Sequence, residues 1–130
     1  MNSELRELKP TLANLMGLPA GQIYTSDLLR KWVGIYILDH NLDVDTDANL
    51  VERQFYMEDV VLDYNLANLL NAEAGQRTSF NTLITTINTY LTRRATFHQL
   101  SQTELKFLKE QETELNKRLD QIFETTFYGN

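Results

Sequence analysis

The chain has 130 residues, which is the length of one domain with at most a short appendage. Hydrophobic residues make up 42% of it and there are only 5 Gly and 2 Pro, so we expect a packed core and exclude disorder throughout. The net charge of −6 has the wrong sign for direct binding of nucleic acid. The absence of cysteine excludes disulfides and cysteine-based zinc sites.

No segment is expected to span a membrane or to direct export. The longest apolar stretch, Trp32–Leu38, is far shorter than the ~20 residues that a bilayer requires. Residues 1–8 intersperse charged side chains where a signal peptide needs an apolar segment. Together with the lack of cysteine, this pattern indicates an intracellular protein without membrane contact.

The first forty residues predict two helices and one short strand. Pro10 suits the first turn of a helix and Gly17 its end, so a helix is expected between them. The segment Ile23–Thr25 is short and β-prone. Ser26 or Asp27 then caps a helix that is apolar on nearly every side, and this helix must be the most buried element.

An acidic loop follows at residues 41–52, and its oxygen side chains fall into the register of an EF-hand calcium loop. However, Asn41 stands where that loop begins with Asp, and Thr46 occupies the sharp turn that requires Gly. We therefore interpret the segment as a solvated loop without a specific metal site. Residues 50–57 predict irregular structure or a short helix.

The next segment predicts a strand and two helices. The β-branched run Val60–Leu62 indicates the strand, and Asp63 caps a short helix after it. A turn is expected at residues 74–77, and Thr78 or Ser79 caps the next helix. The apolar face of that helix consists of Phe80, Leu83, Ile84, Ile87, Tyr90 and Leu91.

A last helix begins at a capping box formed by Ser101 and Glu104. The apolar residues of this helix are spaced three or four residues apart, and Glu112 stands where one further apolar residue would be expected. We name these apolar residues the leucine seam, and they are Leu105, Leu108, Leu115, Leu119 and Ile122. A bare apolar strip of this length must be covered, either by pairing with a second copy or by docking on the chain's own domain.

No catalytic residue is predicted. His40 and His98 lie in different segments, and neither has a carboxylate or nucleophile spaced for a triad. Carboxylates are plentiful, yet none forms a pair in an apolar setting that would separate two pKa values. The doublet Arg93–Arg94 is typical of a favourable charge after a helix rather than of an anion site. We expect a non-enzymatic protein without cofactor or metal.

Five blocks in chain order resemble the SWIB domain of SWI/SNF-complex accessory subunits, a fold shared with the N-terminal domain of the Mdm ubiquitin ligases. The blocks are Lys9–Gly17, Tyr24–Leu29, Gly34–Leu42, Val60–Leu70 and Ser79–Leu91. Tyr36–Ile37 followed by Asn41–Leu42 is the most distinctive piece. Gly34 stands where SWIB proteins usually carry Trp and the Mdm-type relatives carry Gly.

The resemblance implies an α+β, mostly helical fold in which helices frame a hydrophobic groove and short strands brace its ends. Residues 1–94 would form the SWIB-like domain and residues 95–130 a C-terminal helical extension. The implied function is binding of an amphipathic partner helix in the groove. By the resemblance, the groove residues are Val33, Gly34, Ile37, Leu38, Leu70, Phe80, Leu83 and Ile84. Arg30 lies where the relatives are apolar, so it would narrow or charge one end of the groove.

One alternative to this interpretation stays open. The groove residues have the spacing of ordinary core residues, and in that case the chain is a scaffold that assembles through its C-terminal helix. Because the family fold is complete without residues 95–130, we favour homodimerisation as the covering of the leucine seam.

A link to chromatin or transcription comes only with the family, as does a nuclear location in a eukaryotic or viral host. The location would otherwise be cytoplasmic.

Overall fold

The computed structural model describes residues 5–44, 57–93 and 101–124, which form the expected α+β, mostly helical fold with a C-terminal helix. The elements in chain order are β1 (Leu5–Leu8), α1 (Pro10–Met16), β2 (Ile23–Thr25), α2 (Ser26–Asp39), β3 (Val60–Val61), α3 (Tyr64–Leu70), β4 (Arg77–Thr78), α4 (Phe80–Ile87), a 3₁₀ turn (Asn88–Tyr90), β5 (Leu91–Arg93) and α5 (Gln102–Phe123). Within these residues, none of the helices has the length and apolar character needed to cross a membrane.

Two small antiparallel sheets hold the helices. In the first, β1 is the central strand, and its Glu7 lies opposite Ile23 of β2 and Thr92 of β5. In the second, β3 pairs with β4. The sequence did not predict β1, β4 or β5. Leu5 and Leu8 have helical spacing, and β1 is a strand only because segments distant along the chain pair with both of its edges.

The predicted helix ends are largely confirmed. The α1 helix ends at Gly17, whose φ of 75° is the left-handed conformation that favours glycine. Asp63 and Ser79 cap α3 and α4, and both hydrogen bonds of the capping box at Ser101 are present in α5. The cap of α2 differs from the prediction. Thr25 takes this role and accepts from the Leu28 amide, because the last residue of β2 already has the extended backbone that a cap requires.

The helix predicted after Ser79 is shorter than expected. It ends as an α-helix at Ile87, continues as the 3₁₀ turn and then becomes β5, so its predicted continuation to Leu91 is wrong. The reason lies in the first sheet, because Leu91 pairs with Leu8 of β1. A helical period in the sequence is overridden here by long-range strand pairing.

Helix α2 is buried on two opposite sides, as expected for the most buried element. On one side Leu29, Val33 and Ile37 are fully buried in a core shared with α1, α3 and α4. On the other side, helical periodicity places Leu28 and Ile35 on one face, and this face lies against α5. Because α5 also contributes side chains to the core, the division into residues 1–94 and 95–130 does not separate two cores.

Candidate functional site

The groove residues lie together, as expected, but in the interior. The exposed fraction is 0% for Val33, Ile37 and Leu83, 1% for Phe80 and 8% for Ile84, while Gly34 is buried and Leu38 and Leu70 are half-buried. Apart from Gly34, they belong to or pack against the hydrophobic core cluster. In this structure Val33, Ile37 and Leu83 are therefore core residues, covered by other apolar side chains.

Arg30 lies at the edge of this core. Its guanidinium carbon is 4.9 Å from the centroid of the Phe80 ring, a distance typical of a cation–π contact. The contact joins α2 to the first residue of α4, which are the two helices that would form the walls of a SWIB-like groove. The charged residue at this position thus connects the two walls.

Helix α5 lies against the outer face of α2. Two polar contacts join the two helices, and a third joins α5 to β2. In α2, Lys31 Nζ donates to Asn116 Oδ1 at 3.0 Å, and Asp39 Oδ1 accepts from Arg118 Nη2 at 2.5 Å. In β2, the Tyr24 hydroxyl donates to Gln111 Oε1 at 2.8 Å. Because the residue numbers of the contacting pairs rise together, α5 runs in the same general direction as α2.

Two apolar anchors on α5 accompany these polar contacts. Leu115 is 7% exposed and Leu119 is fully buried, and their spacing of four residues places them on one face of α5. The Phe107 ring also packs near Tyr24, with ring centroids 6.3 Å apart. We name the receiving surface the α5 seat, and it consists of Tyr24, Leu28, Lys31, Ile35 and Asp39.

Most of the leucine seam is thus covered within the chain. Leu108 and Ile122 are half-buried against the same core as Leu115 and Leu119, and Leu105 in the first turn of α5 is 40% exposed. Glu112, which interrupts the seam, is exposed. Docking on the chain's own domain, the second of the two coverings considered above, is the arrangement that this structure shows.

The tyrosine in the α5 seat is a buried hydrogen-bond donor. Tyr24 is fully buried, and desolvation raises the pKa of its phenol far above the usual value. A phenol is protonated at neutral pH even at its usual pKa, and here the hydroxyl donates to Gln111. A buried donor of this kind requires an acceptor on any helix that occupies the seat.

A second polar network, which the sequence did not reveal, joins α2 to α3. The Tyr36 hydroxyl donates to Asp63 Oδ2 at 2.5 Å and accepts from Asn65 Nδ2 at 3.2 Å. Burial and then the Asp63 carboxylate raise the pKa of Tyr36. The rings of Trp32 and His40 lie 5.3 Å and 4.1 Å from the Tyr36 ring, and the spacing of four residues between these three aromatics was the available sequence signal.

The remaining candidate features are a histidine with a structural contact and a cleft lined by neutral side chains. His40 Nδ1 lies 2.9 Å from the Tyr36 carbonyl, so its ring has a structural contact. A cleft of about 420 Å³ between α1 and α3 is lined mainly by the neutral side chains of Thr11, Asn14 and Asn68. In the part of the chain that the structure describes, no three His, Asp or Glu side chains are grouped as a metal site would need. Residues 45–56, which include most of the acidic loop, lie outside that part, as do Arg94 and His98.

Comparison with known proteins gives no relative. No protein-family model, no curated protein and no solved structure matches the chain.

Proposed function

We propose that the chain is a non-enzymatic protein-interaction module that binds an amphipathic helix of a partner protein. The observation that carries this proposal is the α5 seat. This surface of α2 and β2 holds an amphipathic helix through two apolar anchors, Leu115 and Leu119, and through polar contacts beside them. Anchors spaced by four residues in an apolar surface with a polar rim are the features of helix-in-groove recognition.

The polar groups of the structure support binding rather than proton transfer. Tyr24 and Tyr36 both have raised pKa values, and each acts as a hydrogen-bond donor to a fixed side-chain acceptor. Such groups hold two elements together. A general acid or base would instead need a pKa near the working pH and a substrate within reach.

The SWIB-like groove between α2 and α4 is a second candidate site for the partner helix. The cation–π contact of Arg30 with Phe80 favours it, because it lies where the two walls meet. Binding in this groove would require Arg30 to leave Phe80 and Val33 and Leu83 to become accessible. The link to chromatin or transcription, and a nuclear location, belong to the proposal through the resemblance alone.

Assembly through the C-terminal helix is the remaining alternative. Leu105, the first member of the leucine seam, is 40% exposed and would contribute to pairing of two copies. Light scattering on the purified chain distinguishes these alternatives. A homodimer that survives Leu115→Asp but dissociates in Leu105→Asp would favour assembly over helix binding.

The proposed function is tested by selecting amphipathic helical peptides from a display library against the full-length chain. Fluorescence anisotropy then measures each selected peptide against Asp39→Lys and against Glu73→Lys, an equal charge change at an exposed residue of the turn after α3. We expect Asp39→Lys to weaken binding roughly tenfold and Glu73→Lys to leave it unchanged. Sensitivity to Arg30→Ala instead would assign binding to the α2–α4 groove, and a selection without helical binders would contradict the proposal.

A further inference from the structure

We propose that α5 is a built-in competitor for the α5 seat, and that the partner is an amphipathic helix with a carboxylate where α5 has Asn116. This inference rests on the proposed function and adds its regulation and the chemistry of the partner.

Helix α5 has few anchors for its length. It spans 22 residues, yet among those whose side chains the structure describes only Leu115 and Leu119 are buried to the level of the core. By contrast, the 14 residues of α2 include seven buried positions. Because the cost of local opening follows the number of buried apolar contacts, α5 can leave its seat at a lower free energy than the one that unfolds the domain.

The polar contacts at the seat fix the register of the occupant without holding it tightly. Arg118 and Asp39 form an ion pair that is partly exposed to solvent, and such pairs contribute little to stability. They do, however, specify which helix fits. Relative to the first anchor, Leu115, the seat requires a cation three residues later and a second apolar residue four residues later.

Lys31 is the residue of the α5 seat that would bind a partner helix more tightly than it binds α5. In α5 the ammonium group donates to the neutral amide oxygen of Asn116. This bond already has a charged donor, and a carboxylate at the same position would turn it into an ion pair, which strengthens the contact by up to roughly five-fold in affinity. A partner helix with the order apolar, acidic, any, basic, apolar would therefore fit the seat better than the sequence of α5, which has the order Leu115, Asn116, Lys117, Arg118, Leu119.

The lack of cysteine in the sequence allows a clean test in the full chain. Single cysteines are introduced as Leu119→Cys in the α5 anchor, Leu83→Cys in the core and Lys117→Cys on the exposed side of α5, and their reaction with a thiol reagent is followed. We expect Leu119→Cys to react at least about 100-fold faster than Leu83→Cys but more slowly than Lys117→Cys. Leu115→Cys provides the same comparison if Leu119→Cys lowers the melting temperature.

A peptide of residues 101–124 carrying Asn116→Glu is then added. We expect it to accelerate the reaction of Leu119→Cys, to leave Leu83→Cys unchanged and to act at a concentration roughly five-fold lower than the unmodified peptide. Equal rates for Leu119→Cys and Leu83→Cys would overturn the proposal, because α5 would then open only with the whole domain, while the peptides selected above could still establish helix binding. If α5 opens but neither peptide accelerates the reaction, exchange at the seat is excluded. If the selected peptides also fail, the proposed function is contradicted with it.

Discussion

Replacing Leu83 with Asp distinguishes a closed core from an accessible groove. Leu83 is 0% exposed in α4, so the change removes a fully buried side chain whose burial is worth about 2 kcal/mol. It also places a carboxylate among apolar neighbours, which costs several kcal/mol more unless the group takes up a proton. The sum reaches about 5 kcal/mol or more, which is comparable to the whole stability of a small domain. We therefore expect this variant to be unfolded at room temperature.

The assay is a thermal melt followed by circular dichroism, with Asn81→Asp as the matched control. Asn81 lies two residues earlier in the same helix and is exposed, so we expect its variant to melt within a few degrees of the parent. A Leu83→Asp variant that stays folded, with a melting temperature close to that of Asn81→Asp, would refute the closed core. In that case Leu83 would line an accessible groove, and the α2–α4 site would become the first candidate.

Three further predictions concern the polar contacts. Asp63→Ala removes both the cap of α3 and the acceptor of the Tyr36 hydroxyl, so we expect a loss of about 2 kcal/mol in urea unfolding, with Tyr36→Phe less costly because the Asn65 amide that loses its acceptor is exposed to water and the cap of α3 is kept. Since burial raises the pKa of Tyr24 above that of the unfolded chain, its contribution is complete below pH 10 and declines as pH rises beyond that value. The urea midpoint should therefore fall above pH 10, and less steeply in Tyr24→Phe. Exchanging the charges of Asp39 and Arg118 should restore most of the stability that either single reversal removes, with a favourable coupling energy of about 0.5 kcal/mol in the double-mutant cycle, and an unfavourable coupling would contradict their contact.

The features that the sequence predicted correctly depend on near neighbours in the chain. Asp63, Ser79 and Ser101 each accept a hydrogen bond from an amide three residues later, so the signal and the structure lie in the same short segment. Strand β1 is different, because nothing within residues 5–8 requires an extended backbone. Its conformation is determined by pairing with β2 and β5, and no local pattern carries that information.

The candidate site shows the same difference between features that a local sequence pattern reveals and features that depend on distant segments. The sequence identified Leu115 and Leu119 as apolar positions that must be covered, but periodicity does not say whether the covering surface belongs to the same chain. Val33 and Leu83 present the reverse case, because residues that line a groove and residues that fill a core have the same spacing. Only the packing of α2 against its neighbours decides between these two environments.

The central position of β1 in its sheet has a consequence for the order of folding. Arg6 and Glu7 must align with β2 on one edge and with Thr92 and Arg93 of β5 on the other, and the second pairing joins segments at opposite ends of the α1–α4 region. Closing so large a loop is slow compared with helix formation, because its entropy must be lost before any contact compensates for it. The helices can therefore form early, and the topology is completed when β5 pairs with a strand that was synthesised long before it.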